Sequence, residues 1–217
     1  MDALRKTPNA DFDPRNEVLE SDRVEIFFDG PESIEPLIED YPFPEAQKIG
    51  GTLVYHPEQV ILGMPTESEH YDISYRTGSK LLVIGGLDRA EKLKEVITNT
   101  SRNLETLSLR RIPYKRLSLW SFIFAGEYQP EIVVRDYENN ELVDFEEFEH
   151  LSQEQLAQEY RLDRARVIFE YNDERIHVTY RDDELVFSGD PSDDAREYVL
   201  QLYEAYVVNG AINPRFE

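Results

Sequence analysis

Residues 75–96, YRTGSKLLVIGGLDRAEKLKEV, and residues 180–202, YRDDELVFSGDPSDDAREYVLQL, share one plan. Each opens on Tyr-Arg, passes a polar turn, runs through a short apolar strand to a glycine, and enters a helix at an Asp-containing start. Tyr75 aligns with Tyr180 and Ala90 with Ala195. The strands leading into each match also follow a similar order, so the pattern predicts an internal duplication. It predicts an α+β chain of two tandem repeats, each an antiparallel sheet with helices on one face. The boundaries are a polar N-terminal arm over 1–20, a first repeat over 21–112 and a second over 113–217.

Working outward, RVEIFF (23–28) reads as a strand and SIEPLIEDY (33–41) as a short acidic helix with Ser33 at its start and Pro36 in its first turn. TLVYH (52–56) and QVILGM (59–64) read as a hairpin around Pro57-Glu58. YDISYR (71–76) and KLLVIGG (80–86) are two more strands, followed by a helix over 88–107 with Leu87, Ala90, Leu93 and Ile97 on one face. In the second half, 131–137 reads as a strand and 142–160 as helical, broken near Ser152. Residues 165–172, 175–181 and 184–189 read as three strands with turns at Asn172-Asp173 and Asp182-Asp183. The last helix starts with Asp190 as N-cap and Pro191 at N1, with Ala195, Val199, Leu202 and Tyr206 as its buried stripe.

Charge sets the chemical boundaries. The 217 residues hold 45 Asp and Glu against 23 Lys and Arg, a formal net charge of −22. Bulk attraction to nucleic acid or to an anionic membrane needs the opposite surplus. Hydrophobic residues at 40% are enough for a packed core, which excludes a disordered chain. No Cys is present, which excludes disulfides, thiolate metal sites and Cys nucleophiles. No apolar run reaches the ~18 residues of a membrane span. The 17 Arg against 6 Lys, with so many carboxylates, resemble proteins of salt-accumulating halophiles. At about 1 M salt the Debye length is near 3 Å and self-repulsion is screened. A soluble cytoplasmic protein, or a virion component assembled in the cytoplasm, is the expectation.

EIVVRDYENNELVDFEEF (131–148) and RVIFEYNDERIHVTYRDDELVFSGDPSDDAREYV (166–199) resemble the repeat unit of the TATA-box-binding protein family, of archaeal or archaeal-virus type. That resemblance implies a saddle of two repeats that bends DNA with aromatic wedges in the minor groove. Tyr75 and Tyr180 stand where one wedge of each repeat would fall. The second wedge of the second repeat would fall near 163–165, where no Phe occurs, and Glu131 stands where the family reads base edges with Asn. DNA is therefore a disfavoured partner. An alternative resemblance is to pleckstrin-homology-like barrels, carried by GTLVYHPEQVILGM (51–64) and RRIPYKRLSLWSF (110–122).

Catalytic signatures are missing from the sequence. Gly50-Gly51 and Gly85-Gly86 lack the spacing and the Lys of a phosphate loop. His56, His70, His150 and His177 form neither HxH nor HExxH, and no Gly-x-Ser-x-Gly elbow occurs. The acidic run Glu141, Asp144, Glu146, Glu147 and Glu149 lacks a calcium-loop pattern. No enzyme activity, cofactor or metal is expected. One island opposes the global charge: Arg110, Arg111, Lys115 and Arg116, followed by Trp120, Phe122 and Phe124 on one face of an expected strand. Arg110, Arg111, Lys115, Arg116 and Trp120 are the candidate partner-binding residues. The alternative is that the aromatics are core and the cations pair with the acidic run. The reading is a non-catalytic binding or assembly protein acting through protein contacts or self-association. The alternative is a divergent DNA-bending transcription factor.

Overall fold

A computed structural model describes residues 2–6, 12–14, 19–57, 60–61, 64–65, 67–85, 95–100, 109, 111–112, 115–144, 151–181 and 184–210. The chain is α+β, and the strand pairs within each of its units are antiparallel. It divides into two compact units. Unit 1 is Met1–Ile34 with Glu45–Ile112, and unit 2 is Glu35–Pro44 with Pro113–Glu217.

Unit 1 contains β1 (Asp2–Lys6), β2 (Val24–Ser33), β3 (Gln47–Tyr55), β6 (Glu69–Arg76) and β7 (Leu81–Ile84), ordered β2-β3-β6-β7-β1. The two-residue strands β4 (Val60–Ile61) and β5 (Met64–Pro65) pair separately. Alternation along the strands puts Val24, Ile26, Ile49, Leu53, Tyr55, Tyr71, Ile73, Tyr75, Leu82 and Ile84 on one face. Phe12, Leu19, Leu109 and Val96 pack on that face, Val96 from the helical residues 95–100 (α1). Three expectations are corrected here. Asp2–Lys6 lies within the expected polar arm, yet it pairs with β7 and buries Ala3 and Leu4. The stretch 52–64 is not a hairpin: β3 pairs with β2 and β6 instead. Ser33 ends a strand rather than starting a helix. The expected helix face at Leu87, Ala90 and Leu93 lies outside the described residues.

Unit 2 contains α2 (Arg116–Phe124), β8 (Tyr128–Asp136), β9 (Leu142–Asp144), α3 (Gln153–Glu159), β10 (Tyr160–Tyr171), β11 (Glu174–Arg181), β12 (Glu184–Ser188) and α4 (Asp193–Tyr203). A π-helical turn, Glu204–Asn209, continues α4. The strand order is β12-β11-β10-β8-β9. The β10–β11 hairpin turns at Asn172 and Asp173, both with positive φ (49° and 65°), as a two-residue turn matching strand twist requires. Ile132, Val134, Leu162, Ala165, Val167, Phe169, Ile176, Val178, Tyr180 and Leu185 are buried. They share one face by register, and α2, α3 and α4 pack on that sheet. Neither set of five strands closes into a barrel among the described residues.

LSLWSF is helix rather than strand. A short apolar run does not distinguish the two by period, and here the spacing of four is the one used. Trp120 stacks on Phe124 at 5.8 Å, while Phe122 meets Phe169 at 5.4 Å and Tyr203 at 5.3 Å. Gly126 then lets the chain pass β10 closely, because a Cβ there would sit 2.2 Å from Val167 Cγ1. The expected helix over 142–160 is narrower. Leu142–Asp144 is strand, 145–150 lie outside the described residues, and the helix begins after Ser152 with a reciprocal capping box to Gln155. The N-cap of α4 is Ser192, not Asp190, because the Ser192 Oγ accepts from the Ala195 N–H. Tyr206 falls out of the buried stripe and is 39% exposed, since π-type bonding slips the helical register and brings Val207 and Val208 inward.

The segment Glu35–Pro44 is held in unit 2 by side chains of α4 and the π turn. Leu37 N–H donates to Gln201 Oε1 (2.7 Å), Gln201 Nε2 donates to the Glu35 carbonyl (2.8 Å), and Tyr41 Oη donates to Glu204 Oε2 (2.5 Å). Gln201 and Glu204 are buried. Replacing Gln201 with Ala strands a backbone donor and a backbone acceptor, so we expect a loss of about 1–3 kcal/mol. The readouts are a lower urea midpoint and faster exchange of the Leu37 amide. A second expectation concerns pH. Hydrogen bonds from Ser192 Oγ and N–H lower the Glu174 carboxyl below its ordinary value. A lowered folded pKa means this stabilisation is present above the unfolded pKa and is lost as pH falls through the folded one. Glu174→Gln should flatten that acid limb of a pH–stability curve.

Candidate interaction surface

The helices cover one face of the unit 2 sheet, and the strand period of two, reset by the register shifts between Leu162 and Arg164 and between Arg166 and Ile168, assigns the other face its side chains. Glu131, Val133 and Arg135 of β8 point there, as do Arg161, Arg164, Arg166, Ile168 and Glu170 of β10. Arg175, His177, Thr179 and Arg181 of β11 join them, followed by Glu184 and Val186 of β12. The register makes this explicit. Arg135 faces Arg161, Val133 faces Arg164, Glu131 faces Arg166, and across the next gap Arg164 faces Arg181 and Glu170 faces Arg175.

Six arginines (135, 161, 164, 166, 175 and 181) therefore share one sheet face with six described carboxylates, Glu127, Glu131, Asp144, Asp163, Glu170 and Glu184. The whole chain has 23 basic residues against 45 acidic ones, so this face is a local exception to the global charge. Ion pairs cross it. Arg135 Nη2 lies 3.3 Å from Asp163 Oδ1. Glu131 takes two arginines at once: Oε1 accepts from Arg164 Nη2, and Oε2 lies 3.0 Å from Arg166 Nε. A hydrogen bond with the Glu127 carboxylate, and that carboxylate's charge, raise the Glu170 carboxyl above its ordinary value, opposed by Arg175. As pH falls, Glu170 takes up its proton early and the face gains positive character. Apolar groups are interleaved. Tyr128, opposite Ile168, is 62% exposed, and Leu142, opposite Arg135, is 54% exposed. Arginine, tyrosine and aliphatic side chains on one solvent-facing patch are the composition of protein interfaces.

Trp120 of the basic island is core, while its described cations are exposed. Arg110 lies outside the described residues. Arg111 is exposed. Lys115 and Arg116 are exposed at the N-terminus of α2, where they border an open depression of about 580 Å³ with Leu117, Glu154, Ala157 and Gln158. The Arg116 guanidinium lies over the Tyr137 ring, 4.0 Å from its centroid. Trp120 is 1% exposed and is a core residue, so it cannot anchor a partner. Tyr75 and Tyr180 are also 1% exposed. Tyr75 meets Phe12 edge-to-face at 5.2 Å. Both lie on the buried faces of their sheets, so neither ring is presented as a DNA wedge. Among the described residues no group of three or more His, Asp or Glu side chains is placed to hold a metal ion. No described helix is long and apolar enough to cross a membrane.

The arginine face escapes a reading by charge runs. Residues 161–184 contain more acids than bases, and strand phase together with the register shift between Leu162 and Arg164 separates them. Compared with family models, with curated proteins and with solved structures, the chain matches none of them. Core placement of the tyrosines has a direct consequence. Tyr180→Ala should cost about 3–5 kcal/mol, as for other large aromatic truncations in a core. A solvent-facing wedge would change stability by no more than about 0.5 kcal/mol. A urea midpoint decides between them.

Proposed function

We propose that this chain is a non-catalytic binding or assembly protein that receives an acidic segment of a protein partner on the open sheet face of unit 2. The observation that carries this reading is the six-arginine face in a chain of net charge −22. Guanidinium groups pair bidentately with carboxylates. The interleaved Tyr128, Leu142 and Ile168 provide apolar contact that a phosphate backbone does not use. The repeat plan of the TATA-box-binding family enters as a proposal of ancestry. It is supported by two hairpins, β6–β7 and β11–β12, each with an inward Tyr and each followed along the chain by helical residues. Adaptation to concentrated salt is part of the same proposal, supported by the acidic, Arg-rich composition. Short arginine–carboxylate contacts persist there better than long-range attraction does.

The second reading, DNA bending, is favoured by arginines on a sheet face and opposed by the buried Tyr75 and Tyr180. Fluorescence anisotropy across a KCl series separates the two, using a labelled Asp/Glu-rich peptide and a labelled DNA duplex as probes. The expected result is peptide binding that weakens at least about tenfold in Arg175→Glu/Arg181→Glu, a loss of roughly 1.4 kcal/mol, with little duplex binding. Tight duplex binding with no peptide binding would overturn the protein-partner reading.

A further inference from the structure

At the centre of the arginine face, one carboxylate of this chain already occupies an anion site. Glu131 stands directly across from Arg166, and Arg164 is two residues earlier on the same strand and face. Both oxygens of Glu131 are engaged, Oε1 by Arg164 and Oε2 by Arg166 at 3.0 Å. The side chain is 28% exposed, so the pairings are partly shielded from water. The arrangement also answers a local cost. Arg164 faces Arg181 across the β10–β11 ladder, and like charges directly opposite repel. A carboxylate on the far side of Arg164 offsets that repulsion.

We propose that Glu131 is the specificity-determining residue of this surface: bound between Arg164 and Arg166, it withholds the centre of the face from phosphate backbones and leaves the outer row, Arg175 and Arg181, to the carboxylates of a protein partner. The proposal rests on the reading of this face as a binding surface and deepens it. A duplex presents closely spaced phosphates and needs several cations together along its track. Glu131 engages both arginines in the middle and lowers the charge of that cluster from +2 to +1. A peptide carboxylate needs only one arginine at a time, and Arg175 and Arg181 stand singly, six residues apart on β11.

The test is Glu131→Gln, close in shape and without the charge, with Glu131→Asp as the variant that keeps it. Duplex binding is measured by anisotropy across a KCl series, and peptide binding in parallel. Thermal unfolding is followed to compare folded protein. Glu131→Gln should gain at least about tenfold in duplex affinity at low KCl. Its plot of log affinity against log salt should steepen by roughly 1–2, as expected for one or two added phosphate contacts. Glu131→Asp should stay near the original protein. Duplex binding by folded Glu131→Gln that is unchanged from the original protein would overturn the assignment, even where peptide binding and its dependence on Arg175 and Arg181 hold. Equal duplex gains in Glu131→Asp and Glu131→Gln would also overturn it, because charge would then not be the cause.

Discussion

Val167, Phe169, Ile176 and Val178 are buried beneath the helices of unit 2, with Phe169 against Phe122 and Phe122 against Tyr203. That apolar contact fixes the phase of β10 and β11. A strand has only two faces, and shifting it by one residue would exchange every side chain between them. Burying a Phe or Val side chain is worth about 1.5–3 kcal/mol, and exposing four to bury arginines would add large desolvation costs. Arg164, Arg166, Arg175 and Arg181 are therefore committed to the open face by the residues between them. The packing of the core and the chemistry of the surface are one decision.

The same logic explains the fate of the aromatic residues. In sequence, Trp120, Tyr75 and Tyr180 read as anchors or wedges because large aromatics dominate interfaces. They dominate cores for the same reason, since both uses bury large apolar area. Each of the three is 1% exposed. The aromatic and aliphatic groups that remain outside, Tyr128 and Leu142, are on strands and lie beside the arginines. Unit 1 keeps a different outer face, with Phe27 59% exposed and Glu25 paired to His56 at 3.2 Å.

Much of the second half could be read from pattern. The strands around 131–137, 165–172, 175–181 and 184–189 and the helix after residue 190 occur close to where alternation and capping residues put them. Local signals were weaker wherever tertiary partners decide. SIEPLIEDY has helical spacing, but its backbone groups at Glu35 and Leu37 bond to Gln201, some 165 residues away. LSLWSFIF fits either period until Phe169 and Tyr203 select the helix. Asp2–Lys6 looks polar in isolation, yet it pairs with β7, and Ala3 and Leu4 are buried. The site was legible in principle, because the spacing of Arg164 and Arg166, and of Arg175 and Arg181, is even. It was hidden by counting charge in windows, where Glu170, Asp173 and Glu174 mask it.

We propose that the working surface is the arginine side of the unit 2 sheet, not the basic end of α2. Backbone amide shifts, followed by NMR as an Asp/Glu-rich peptide is added, test it most directly. The largest changes are expected along β10 and β11, at Arg164, Arg166, Arg175, His177, Thr179 and Arg181. Changes centred on Lys115, Arg116 and Gln158, with β10 and β11 undisturbed, would contradict it.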